Sequence, residues 1–271
     1  MQPKTHGEIV AWSVRGSYPF SDVVKALVGA ELNEKEARDI IPRNAFARSC
    51  KQLADERIIR KIDEDRWQMR FQFTKESLVG DQFEYAFETV LTLNKTTGDI
   101  ACDIPELVKK ANKLMQSASE IRTAPDVTRI IQRLFTKNAD LFLVRDQGGC
   151  YFVPRQHQVL IEKVQKFCDK LDVKLRRFPV ATGTGSGDAN VREAVLNGLQ
   201  DMLKDHKEAI KAFDPDTTNH VFERAANKLK ATRHKLQAYA CFLGDEVKKL
   251  EDEVDIGEKE LKEKIEKFAI V

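Results

Sequence analysis

The 271-residue chain has no apolar stretch approaching the roughly 20 residues that a membrane helix needs. No membrane span is therefore expected. Nothing at its start resembles a signal peptide, which points to the cytoplasm. Cysteine is scarce and odd in number: Cys50, Cys102, Cys150, Cys168 and Cys241 lie far apart, mostly in apolar runs. That pattern excludes a disulfide framework and predicts reduced, buried thiols. Charge of one sign is also missing. Lys and Arg total 45 against 43 Asp and Glu, a formal charge of +2, so any nucleic-acid surface must be local. His6, His157, His206, His220 and His234 do not pair with one another or with cysteines at metal-ligand spacing. His157 with Cys150 and Cys168 is the nearest approach, so neither a metal nor a cofactor is expected. There is no Gly-x-Ser-x-Gly elbow, kinase motif set or His-Glu-x-x-His, and the acidic clusters at 63–65 and 251–253 read as turn and helix surface. No residue is assigned a catalytic role, and binding or assembly is favoured over chemistry.

What is present is a seam. Phe222, Ala226, Leu229, Leu236, Ala240, Leu243, Val247, Leu250, Val254, Leu261 and Phe268 follow an alternating three-and-four spacing, broken by Arg233, Gly257 and Lys264. The unbroken phase through Leu243, Val247 and Leu250 predicts one continuous helix some 75 Å long, at roughly 1.5 Å per residue. The alternative is a break at Gly244 and Asp245 that folds the segment into a hairpin, a Lys-rich helix against a Glu-rich one. A helix over 189–213, with Val191, Val195, Leu199, Met202, Ile210 and Phe213 on one stripe, ends at Asp214 and Pro215 and should pack antiparallel to it. Being about half as long, it leaves Leu236, Leu243, Val247, Leu250, Val254 and Leu261 as the interface for a second copy or a protein partner. The plainer reading is a helical bundle with no assembly role.

Towards the N-terminus the pattern predicts helices over 8–14, 20–32, 34–40 and 43–59, with Pro42 dividing the last two. Two apolar runs flanking Asp63, Glu64 and Asp65 then read as a hairpin, with Met69, Phe71 and Phe73 alternating. Helices followed by a two-stranded ribbon resemble a winged helix over residues 5–73. The resemblance implies that 43–59 is a recognition helix, offering Arg43, Asn44, Arg48, Lys51 and Gln52 to DNA. The acidic tip opposes this by repelling the phosphate backbone. A structural head or a protein-docking unit is the other reading.

Next come strands over 83–93 and 99–103 and helices over 106–121 and 126–135. A hairpin of 140–145 and 150–153 joined at Gln147, Gly148 and Gly149, a helix over 156–171 and a strand over 173–180 follow. Strand pair, helix, strand is half of a ferredoxin-like layout, and one mixed sheet covered by helices is expected. From this strand into the next helix runs a glycine-rich loop, Thr182 to Asp188. Gly183, Gly185 and Gly187 could present N–H groups to a phosphate, but Asp188 sits where the anion would go, so the loop reads first as a linker. The fold class is thus α+β: a winged-helix-like head (1–75), a body with a mixed antiparallel sheet and covering helices (76–181), a glycine-rich linker (182–188) and a coiled-coil module (189–271). With its terminal coiled coil, the runs Asn44-Ala-Phe-Ala-Arg-Ser and Gly149-Cys-Tyr-Phe-Val-Pro resemble uncharacterised bacterial and phage proteins of unknown function. The expectation is a non-enzymatic assembly or adaptor protein, a homo-oligomer or a docking subunit. The alternative is a DNA-binding accessory or regulatory protein.

Overall fold

A computed structural model describes residues 5–54, 57–144 and 149–268. In chain order its elements are β1 (Thr5–Ser13), β2 (Ser17–Pro19), α1 (Phe20–Gly29), α2 (Pro42–Gln52), β3 (Arg57–Glu64), β4 (Gln68–Val79) and β5 (Gln82–Asn94). Then follow β6 (Ile100–Ala101), α3 (Pro105–Glu120), β7 (Ile121–Thr123), α4 (Ala124–Asn138), β8 (Phe142–Leu143), β9 (Cys150–Pro154) and α5 (Gln158–Lys170). The last are β10 (Lys174–Ala181), α6 (Gly185–Lys211), α7 (Asn219–Ala238), α8 (Ala240–Leu243) and α9 (Glu246–Phe268). The architecture is α+β with antiparallel pairing. The chain divides into two units, one of 1–12, 135–162 and 175–271, the other of 13–134 and 163–174.

In the first unit the segment expected as the first helix is strand β1. Ile9 and Val10 are β-branched, and the strand runs antiparallel to β9 from Gly7 opposite Pro154 to Ala11 opposite Cys150. Its sheet has the order β10-β1-β9-β8. The turn residues Gln147 and Gly148 lie outside the described residues. Helix α6 lays Val191, Val195 and Leu199 on Phe142 and Phe152 of this sheet, and Leu236, Leu243, Leu250 and Val254 complete the same core.

The continuous 75 Å helix is not formed. After α7 and the short α8 the chain reverses at Gly244, whose φ of +58° is a conformation open to glycine, and α9 returns along α7. Two of the breaks in the seam, Gly257 and Arg233, join the helices of this hairpin, and the third, Lys264, reaches α6. Gly257 lies against Leu229, where a Cβ would sit 3.3 Å from its methyl, so the helices close at that point. Arg233 reaches Asp255 at 2.5 Å and Glu258 at 3.0 Å on α9, and Lys264 donates to the carbonyl oxygen of Phe213 at 2.9 Å beyond the end of α6.

A buried polar network ties the sheet end to α7. Asp140 accepts from Lys235 at 2.6 Å and from the Tyr239 hydroxyl, which in turn accepts from Gln156 at 2.8 Å. Burial acts to raise the Asp140 carboxyl, but the Lys235 and Tyr239 hydrogen bonds outweigh it and hold it below its ordinary value. Replacing Tyr239 with Phe should cost about 1–2 kcal/mol in urea unfolding at neutral pH, since Asp140 and Gln156 each lose a partner. The stabilisation of a carboxylate with a lowered pKa is complete above its unfolded value and fades as pH falls through the folded one. The deficit of Tyr239→Phe should therefore shrink in acid.

In the second unit the sheet order is β3-β4-β5-β6. Met69, Phe71, Phe73, Leu91 and Leu93 cover one face, packed by Phe46 and Cys50 of α2 and by Leu107 and Ala111 of α3. The sheet corrects two expectations. It is separate from the β8–β10 sheet, so there is no single mixed sheet, and the boundary at 75/76 would cut β4 in half. With β1 a strand of the other unit, the winged-helix order of the head is not reproduced. Cys50 and Cys168 are buried, and burial pushes both thiols up to about 12. Cys241, expected buried, is exposed.

Candidate functional site

The residues expected to touch DNA reach different surroundings. Helix α2 ends at Gln52, and Ile58 and Ile59 belong to β3, so the expected recognition helix is shorter. Arg43 pairs with Glu64, which also accepts from Lys61 and, at 2.7 Å, from Lys95. These three cations, Arg43 foremost, hold the Glu64 carboxyl well below the usual range. Asp63 pairs with Arg70, and Asp65 accepts from the N–H groups of Trp67 at 2.6 Å and Gln68 at 2.7 Å. The acidic tip is therefore satisfied by Lys61 and Arg70 of the hairpin, by Arg43 and Lys95 from outside it, and by backbone N–H groups. Lys51 and Gln52 are exposed at the far end of α2, while Asn44 and Arg48 line a cleft.

The other two candidate sets are internally satisfied. Asp188 accepts from the Gly183 N–H at 3.2 Å and stands 2.6 Å from His6 Nε2, so a carboxylate already occupies the loop donor that a phosphate would use. Gly185 and Gly187 are in the first turn of α6, where Gly187 is crowded by Thr184 Oγ1, so the expected linker is mostly helix. Of the seam residues, Leu236, Leu243, Leu250, Val254 and Leu261 are at most 4% exposed, and Val247 packs on the same core. They form the chain's own interior, not a surface left for a partner.

One cleft of the second unit gathers arginines. It has a volume of about 180 Å³ and is lined by Arg38, Asp39, Asn44, Arg48, Arg122, Asp126, Arg129 and Arg133 with Ile40 and Ile130. Five arginines face two aspartates there, a formal surplus of three positive charges. Counting Glu36, the partner of Arg133, the surplus is two. Position follows from local structure. Thr123 precedes α4 and donates its N–H at 2.9 Å and its hydroxyl at 2.8 Å to Asp126, a first-turn cap that fixes the carboxylate. The same carboxylate receives Arg48 as a fork, at 2.8 and 2.6 Å. Burial works against the charged Asp126, but Arg48 and Thr123 prevail and its pKa is lowered.

Arg122 is the unusual member. It is 2% exposed, with its guanidinium 4.0 Å over the Phe20 ring. It donates to the carbonyls of Ser119 at 2.8 Å and Arg38 at 3.1 Å, while its Nε is buried with no hydrogen-bond partner. Among the described residues no carboxylate forms an ion pair with it, and burial pushes its pKa below the ordinary arginine value. Arg38 and Arg129 stand exposed at the mouth. A buried cation with no directly paired carboxylate, with Asp126 and Asp39 acting on it only from a distance and further arginines beside it, suits a tetrahedral or planar oxyanion. Among the described residues no cluster of three or more His, Cys, Asp or Glu could hold a metal ion. No helix there is long and apolar enough to cross a membrane.

Sequence reading found Asn44 and Arg48 but missed Arg38, Arg122, Asp126, Arg129 and Arg133. A signal existed. Asp126, Arg129 and Arg133 follow the three-four spacing of one face of α4, beside the apolar stripe of Val127, Ile130, Ile131 and Leu134, and Arg122 precedes them in β7.

Fold and site together define an α+β chain of two units, the second carrying an arginine-lined cleft. The chain belongs to the Family of unknown function (DUF6744), whose model matches residues 6–268. No curated protein and no solved structure matches it.

Proposed function

We propose that the chain is a nucleic-acid-binding accessory protein that works by binding rather than catalysis, with the arginine-lined cleft holding a backbone phosphate. The observation that carries this reading is Arg122, buried with an unpartnered Nε and no ion-paired carboxylate, among four further arginines. A phosphate would offset the surplus positive charge of the cleft and supply acceptors, and Asn44 at the rim adds a neutral donor. Assembly through the terminal seam, the other reading of the sequence, loses its support because those side chains fill the interior.

The test is fluorescence anisotropy with duplex DNA, single-stranded DNA and RNA across a salt series. Affinity should fall linearly on logarithmic axes. Arg38→Ala and Arg129→Ala, both at the exposed mouth, should each lower the slope by about one, because each leaves one phosphate without its cation. Absence of salt-dependent binding to all three ligands would remove the proposal, as would variants indistinguishable from the parent.

A further inference from the structure

Beyond the cleft, the second unit carries a two-stranded arm. β4 and β5 pair along their whole lengths, but β5 has a partner on its other side only at Thr92 and Leu93, from β6. Gln82 through Phe87 are exposed, and among the described residues nothing pairs with that edge. It holds neither Pro nor Lys, the residues that usually protect an open strand.

The register supplies the geometry. Phe73 is opposite Thr89 but Thr74 is opposite Phe87, so Glu88 is an extra residue in β5. Phe83, Tyr85 and Phe87 consequently align with Leu78, Glu76 and Thr74, on the face opposite the one that Phe71, Phe73, Leu91 and Leu93 bury. Leu78, Phe83, Tyr85 and Phe87 are 56–64% exposed. Gly80, at φ +64°, and Asp81 make a two-residue turn, so Val79 and Gln82 close it as a hydrogen-bonded pair. Alternating outward, the backbone N–H and C=O of Phe83, Tyr85 and Phe87 point away from β4. The three aromatic positions are thus also the three with free edge groups.

We infer that this edge adds to the same edge of a second copy, antiparallel about a two-fold axis at Tyr85. In that register Tyr85 faces Tyr85, and Phe83 faces Phe87, so each free N–H and C=O finds a partner and the aromatic side chains meet across the strands. Glu84 faces Ala86 and Glu88 faces Gln82, so no two carboxylates are directly opposed. The arm's own charges, Glu76, Asp81 and Glu84 against Lys75, disfavour a phosphate backbone there and separate this surface from the cleft. The four apolar side chains expose on the order of 400 Å², less than the roughly 800 Å² per partner of a standard interface. The dimer should accordingly depend on concentration.

The experiment is light scattering with size exclusion on the full chain over a concentration series, with Tyr85→Lys and Tyr85→Glu alone and mixed. Circular dichroism would confirm that each variant is folded. The parent should move from monomer to dimer as concentration rises, each variant alone should remain monomeric, and the equal mixture should regain the dimer. A parent that stays monomeric at its highest soluble concentration would overturn the inference. So would a dimer that persists in Tyr85→Lys, or a mixture that stays monomeric.

Discussion

Leu250→Asp is expected to unfold the helical part of the first unit, not to yield a folded chain that has lost a partner. Leu250 is 1% exposed in the apolar core shared by Leu199, Leu236, Leu243 and Val254. Burying an uncompensated charge costs about 3–5 kcal/mol or more, a large share of the roughly 5–15 kcal/mol that holds a domain together. The expected record is a lowered thermal midpoint with loss of helical ellipticity. Val247→Asp, at a half-buried site on the same helix, should be milder because its carboxylate can reach water. Retention of helix in Leu250→Asp with a drop in mass alone would restore the seam as an interface between chains.

That contrast marks where the sequence was informative. The spacing of the seam identified most of the buried positions, because a helix imposes it within a few turns, but it included the exposed Ala226 and passed over Thr232 and Tyr239. It could not choose between a long rod and a hairpin, since both keep the same phase. The decision lies in Gly244, which permits the reversal, and in Gly257, which lets Leu229 approach. β1 was misread for a related reason. Its nine residues are short enough to fit either period, and its partner strand β9 is more than a hundred residues away. Most of the helices and strands between were legible from proline, glycine and apolar alternation. The cleft was half legible. Asp126, Arg129 and Arg133 form a readable stripe on α4, but Arg122 comes from β7 and Arg38 and Arg48 from other segments, and only the tertiary fold brings them to it.

Asp126→Asn should weaken the fold and strengthen the anion site together, an outcome that a purely structural ion pair would not give. The asparagine keeps the size and can still accept from Thr123, but Arg48 loses its ionised fork partner and the cleft keeps Asp39 alone against five arginines. Breaking a mostly buried pair in this way should cost about 3 kcal/mol at neutral pH. The Asp126 carboxyl has a lowered pKa, so its contribution is present above the unfolded value and is lost as pH falls through the folded one. The gap between parent and variant should close in acid. In the other direction, the surplus of positive charge rises from three to four, and nucleic acid should bind more tightly at a given salt concentration. Because a ligand that binds only the folded chain stabilises it by RT ln(1 + [L]/Kd), inorganic phosphate should raise the thermal midpoint of Asp126→Asn more than that of the parent. Chloride at equal ionic strength serves as the control for screening. Equal effects of phosphate and chloride on the variant would mean that the arginines neutralise the chain's own carboxylates and nothing more. A larger effect of phosphate, abolished when Arg38 and Arg129 are replaced by Ala, would place the anion among these side chains.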